Sequence, residues 1–112
     1  MGETLGKKTS NPVSKRLKEV RLAAGISQKK LGIAAGIDQF VASARMNQYE
    51  TGKHTPDFSI LEKIAKTLNI PTAFFYATDD DIADLILKYS KLNISEQTKL
   101  IMLLDEMITK KL

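Results

Sequence analysis

The stretch ISQKKLGIAAGIDQFVASARMNQYETGK, residues 26–53, decides the fold. Ser27 is a side chain that caps helices, Leu31 and then Ala34 or Ala35 follow as inward positions, and Gly36 can take the left-handed conformation that closes a helix. The spacing therefore predicts a short helix. Farther along, Met46 and Tyr49 lie three residues apart on one helical face, while Arg45, Asn47 and Gln48 are polar groups able to pair with base edges. A rod with those two sides asks for two partners, its own core along one and a nucleic acid along the other.

The whole chain has 112 residues, enough for one hydrophobic core and too few for two independent ones. Hydrophobic residues make up 43% and charged residues 27%, an ordinary globular mix that argues against wholesale disorder or a fibre. The absence of cysteine excludes disulfides, thiolate metal sites and thiol nucleophiles, and fits a reducing compartment. No apolar run approaches the roughly 20 residues of a membrane span, and the N-terminus lacks a signal peptide's apolar stretch, so a soluble cytoplasmic protein is expected. The net charge of +4 is unevenly spread: 10 Lys and Arg face 4 acids up to Pro56 and 7 face 9 beyond it, giving +6 and −2. A basic first half suits a polyanionic partner, and the second half suits protein or water.

Helical signals continue on both sides of the opening stretch. Residues 1–12 are expected to form a flexible arm carrying Lys7 and Lys8, with Asn11 able to cap and Pro12 suited to a first helical position. Val13, Leu17, Val20 and Ala24 then make one apolar stripe that Gly25 ends. After Asp57 the stripe Ile60, Leu61, Ile64, Ala65 and Leu68 runs until N-I-P at 69–71 stops it. Phe74, Phe75 and Tyr76 read as a lid on the core in preference to a base-stacking platform. Asp79, Asp80 and Asp81 suit the positive end of a helix dipole and lack the spaced oxygens and turn glycine of a calcium loop, so no metal or cofactor is expected. Ile82, Leu85, Ile86 and Tyr89 are the expected inward face of that helix, and Ser95 is the expected cap of the last one. Leu100, Ile101, Leu103, Leu104, Met107 and Ile108 leave the last helix apolar on more than one face.

Two helices joined by a glycine-containing turn, with small residues where they approach, are what a DNA-reading helix-turn-helix needs, and Ser27 to Glu50 supplies them. The motifs I-S-Q-K-K-L-G at 26–32, A-G-I at 35–37, Q-Y-E-T-G-K at 48–53, P-D at 56–57 and I-L-E-K-I-A-K-T-L-N-I at 60–70 follow in order. In these the chain resembles the phage repressor and Cro (XRE) family of helix-turn-helix regulators, from about Val13 to Ala77. The resemblance implies an all-α fold, a lambda-repressor-like five-helix DNA-binding domain at 13–78 followed by two C-terminal helices at 79–112. It also implies that Gln28 meets a DNA phosphate, with Lys29 beside it at a helix N-terminus that attracts anions on physical grounds as well. Lys53, His54 and Thr55 would lie along the phosphate backbone, and Arg21 and Glu50 would form a partly buried structural ion pair.

The segment between Gly36 and Glu50 is about four residues longer than the family pattern, which leaves two registers for the third helix. Anchored from Y-E-T-G, Ser43 caps it and Ala44, Arg45, Asn47 and Gln48 face outward, a base-reading set together with Ser43. Anchored from Gly36, Asp38 caps one longer helix that exposes Gln39 and Phe40 and turns Ala42, Met46 and Tyr49 inward. The first register fits the downstream motifs better.

One short helix reads too few bases to find a genomic site, so a homodimer on a palindromic operator is expected, a repressor in preference to an activator. Leu100, Leu104, Met107 and Ile108 are the expected dimerisation residues. The alternative class is a helical protein-interaction module, antitoxin-like or an adaptor, whose partner binds the C-terminal helices. An enzyme is disfavoured: one histidine and no cysteine cannot assemble a nucleophile and base, and no glycine-rich phosphate loop is present.

Overall fold

In a computed structural model that describes residues 11–111, six α-helices and one 3-10 segment succeed one another: α1 Pro12–Ala24, α2 Gln28–Ala34, α3 Ala42–Thr51, α4 Phe58–Leu68, the 3-10 turn Thr72–Tyr76, α5 Asp80–Ser90 and α6 Ile94–Lys111. Among the described residues there is no strand. The fold is thus all-α, four helices and a 3-10 turn around one core, followed by two more helices. The expected N-terminal arm lies, through residue 10, outside the described residues. Asn11 and Pro12 belong to α1: Asn11 accepts the Val13 N–H at 2.9 Å and Pro12 takes the first helical position.

Local chemistry sets most of the boundaries. Ser27 Oγ accepts the Lys30 N–H at 3.1 Å, Asp57 accepts that of Ile60 at 2.9 Å, and Asp79 accepts those of Asp81 and Ile82. Gly25 and Gly52 close α1 and α3 in the left-handed conformation. Asn69 closes α4 in the same conformation, at φ 55°. The cap of α6 is Asn93, where Ser95 was expected: Asn93 Oδ1 accepts the Glu96 N–H at 2.8 Å and Glu96 returns a bond to the Asn93 N–H at 3.0 Å. That reciprocal box satisfies two otherwise orphaned donors, which a serine two residues farther on cannot do.

The core gathers Val13 and Leu17 of α1, Leu31 of α2, Met46 and Tyr49 of α3, Leu61 and Ile64 of α4, and Phe74 and Phe75 of the 3-10 turn. The two phenylalanines meet edge to face at 5.6 Å between ring centres, the lid expected of them, while Tyr76 is exposed. Helices α2 and α3 come very close at Gly32. A Cβ there would sit 2.9 Å from Met46 Cγ and 3.0 Å from Ala42 Cβ, so this glycine is what lets the two helices touch.

Helix α5 docks by a different face from the expected one. Ala83 is buried and Ile86 and Leu87 pack on the core, whereas Ile82, Leu85 and Tyr89 of the expected inward set are exposed. What fixes this rotation is Arg16, only 2% exposed although charged. Its Nε donates to the Ala77 carbonyl and one Nη to the Asp80 carboxylate, both at 2.9 Å, and the guanidinium lies 5.8 Å over the Phe74 ring. The start of α5 is thereby tied to α1. Helix α6 has no buried residue at all, and Ile101, Met102, Leu103, Met107 and Ile108 stand open.

Candidate nucleic-acid interface

Helix α3 begins at Ala42, so Ser43 is an exposed first-turn residue and not the cap; no side chain caps this helix. The reason lies in the longer connection. Asp38 accepts the Phe40 N–H at 2.8 Å through its side chain and the Val41 N–H at 3.1 Å through its carbonyl, closing a turn before the helix starts. Ala42, pressed against Gly32, is then already helical, with the Arg45 N–H bonded to the Val41 carbonyl at 2.8 Å. The inward set is Ala42, Met46 and Tyr49, at i, i+4 and i+7, as the longer register proposed. The outward set is the one common to the shorter register: Ser43, Ala44, Arg45 and Asn47 are exposed and Gln48 is half-buried.

Three features border this face. The first is the N-terminus of α2, where the amides of Gln28 and Lys29 occupy helical positions without an intrahelical acceptor and Lys29 and Lys30 are exposed. The second is the loop after α3, in which Lys53, His54 and Thr55 are all exposed and the His54 N–H bonds back to the Gln48 carbonyl at 3.2 Å. The third is the turn at Gln39–Val41, which carries the open side chains of Phe40 and Val41.

The Gln28 side chain does something its sequence position did not disclose. Its amide nitrogen donates to Asn47 Oδ1 at 3.2 Å and to Glu50 Oε1 at 3.1 Å, so both amide hydrogens are spent within the protein. A phosphate, which accepts, finds no side-chain donor on Gln28 in this arrangement. Arg21 completes the cluster: its two nitrogens donate in parallel to the Glu50 carboxylate, a third bond goes to the Ile26 carbonyl at 3.0 Å, and the carboxylate raises the guanidinium pKa further. α1, the start of α2 and the end of α3 are thus locked together immediately behind the polar face. Among the described residues no group of acidic or histidine side chains could hold a metal ion.

Sequence reasoning found the polar face but missed Arg16. Its spacing held the signal, since residue 16 falls on the same stripe as Val13, Leu17 and Val20, where a charged residue asks for buried partners. Of the expected dimerisation residues, Leu100 and Leu104 are half-buried within the chain itself while Met107 and Ile108 are exposed.

A short all-helical body that presents the outer side of its third helix, braced from behind, is the architecture of a helix-turn-helix module. The Helix-turn-helix family model matches residues 17–75, and the chain belongs to that family. It is 35% identical over 74 residues to an uncharacterized HTH-type transcriptional regulator of Sinorhizobium medicae (strain WSM419), a match covering 62% of this chain and 50% of the relative. A counterpart in Rhizobium meliloti (strain 1021) matches to the same extent. The chain thus spans about half the length of the curated relatives it matches. The crystal structure of the transcriptional regulator BswR is similar at 43% identity with a TM-score of 0.78, over 83% of this chain and 92% of that one. No helix among the described residues is long and apolar enough to cross a membrane.

Proposed function

We propose that this protein is a sequence-specific DNA-binding transcriptional regulator, a repressor that binds a palindromic operator as a homodimer. The observation that carries the reading is the outer side of α3, where Ser43, Ala44, Arg45 and Asn47 are uncovered while Met46 and Tyr49 anchor the same helix from behind. Arg45 is suited to guanine O6 and N7, and Asn47 or Gln48 to adenine N6 and N7. The free amides at the start of α2 with Lys29, and the Lys53–Thr55 loop, supply phosphate contacts on either side. In this scheme Gln28 orients Asn47 through their shared hydrogen bond, and the phosphate is met by the backbone and the lysine instead.

Two copies are required because a single α3 reads only a few base pairs. The open face of α6, with Leu103, Met107 and Ile108, is where we place the contact between them, Leu100 and Leu104 backing it from within the chain. The same face supports a second reading, a protein partner seated on the C-terminal helices of an antitoxin-like or adaptor chain. A salt titration of duplex binding separates the two. A regulator contacting about six phosphates loses affinity with a slope of about −5 in log K against log salt, and a pure adaptor binds no duplex even at low salt.

A further inference from the structure

Phe40 is 87% exposed, the most open large apolar side chain among the described residues, and Val41 beside it is 42% exposed. Neither belongs to a loose loop. Asp38 holds both of their amides, through its carboxylate at 2.8 Å and its carbonyl at 3.1 Å, so the turn is fixed and Phe40 projects from it two residues before α3 begins. Exposing an aromatic ring on a rigid turn is unfavourable in water, and the described residues leave it almost wholly uncovered.

We infer that Phe40 is a specificity-determining residue that packs against the 5-methyl group of a thymine at the edge of the site read by α3. The inference rests on the DNA-binding reading and extends it to one base. If the first turn of α3 enters the major groove, the turn leading into it, adjoining the exposed Ser43 and Ala44 in the chain, lies at the groove's rim. Among base edges in that groove the thymine methyl is the one apolar feature, and a phenyl ring is a suitable partner for it. Wedging between base pairs, the other use of an exposed aromatic, belongs to minor-groove proteins and does not suit a turn that feeds a major-groove helix. A second copy of the chain is the competing occupant.

The test uses the full chain and a duplex recovered from a random pool by selection. Each thymine of the half-site is replaced in turn by deoxyuridine, symmetrically in both halves, which removes the methyl alone. At one thymine position the wild type should bind the deoxyuridine duplex more weakly by about fourfold for each methyl lost. Phe40→Ala should bind the two duplexes equally, and Phe40→Leu should keep part of the difference. The inference is overturned if the wild type is indifferent to every such replacement, or if the half-site contains no thymine. It is also overturned if Phe40→Ala leaves methyl discrimination intact, and a changed sedimentation of the free protein would then assign Phe40 to a contact between copies. Failure of the wild type to bind any duplex at low salt would instead remove the DNA reading itself, and this inference with it.

Discussion

Arg21 on α1 and Glu50 near the end of α3 are joined by two parallel hydrogen bonds, and both side chains are largely withdrawn from water, 12% and 3% exposed. Pairs so placed give little net stability over an apolar substitute, yet breaking one strands a buried charge. Glu50→Gln keeps the shape and one acceptor while removing the charge. It should destabilise the fold by about 2 kcal/mol, part of the roughly 3–5 kcal/mol that loss of one partner costs. A thermal melt should show the drop, and an unchanged melting temperature would mean that the pair contributes nothing.

Gly32 gives a second stability test with opposing effects. Alanine is the better helix former by about 1 kcal/mol, but its Cβ would crowd Met46 Cγ at 2.9 Å, Ala42 Cβ at 3.0 Å and the Ala42 carbonyl at 3.2 Å. Met46 can bend away and the Ala42 backbone cannot. Overpacking of about 1–3 kcal/mol should therefore win, lowering the melting temperature of Gly32→Ala by roughly 4–8 °C for each net kcal/mol.

The link between α1 and α5 should respond to acid. The Lys15 ammonium and the Arg16 guanidinium hold the Asp80 carboxyl below its ordinary value of 3.8. A carboxyl depressed in the folded state contributes stability that is present above the unfolded value and is lost as pH falls through the lower, folded one. Wild type and Asp80→Asn should therefore differ in melting temperature at neutral pH and converge as pH drops below 3.8. Of the two bonds, that to Arg16 matters more, because Arg16 is buried while the Lys15 pair is open to solvent.

Helix α6 should not stand without a partner. It buries no residue and leaves Ile101, Met102, Leu103, Met107 and Ile108 open, with Leu100 and Leu104 half-buried against the rest of the chain. On the proposed homodimer, replacing Met107 and Ile108 by aspartate should leave a monomer in sedimentation and weaken duplex binding by on the order of 10²–10⁴, the avidity of two linked half-sites. Retention of the dimer would move the contact elsewhere on the molecule.

What was legible in the residues was what depends on neighbours along the chain. The caps at Asn11 and Ser27, the glycine closures and the inward stripes of α1 and α4 all rest on contacts within a few residues. The start of α3 was not, because Asp38, in a position to cap a helix, closes a separate turn, and the packing of Ala42 on Gly32 sets the register from a distance. The docked side of α5 was also hidden. Its two candidate stripes overlap at Ile86, and the choice is made by the bond between Arg16 and Asp80, 64 residues apart in the chain. The polar set on α3 was visible because the register anchored from Y-E-T-G turns it outward, whereas the engagement of Gln28 by Asn47 and Glu50 needed the helices brought together.

The most direct test of α3 as the base-reading element is selection of bound duplexes from a random pool by wild type and by Arg45→Ala. The wild type should recover a palindrome with half-sites about one helical turn apart, and Arg45→Ala should lose preference at one base pair in each half, a discrimination of roughly 1–3 kcal/mol, while keeping the rest. An Arg45→Ala profile identical to the wild type would contradict the assignment of this helix face to DNA.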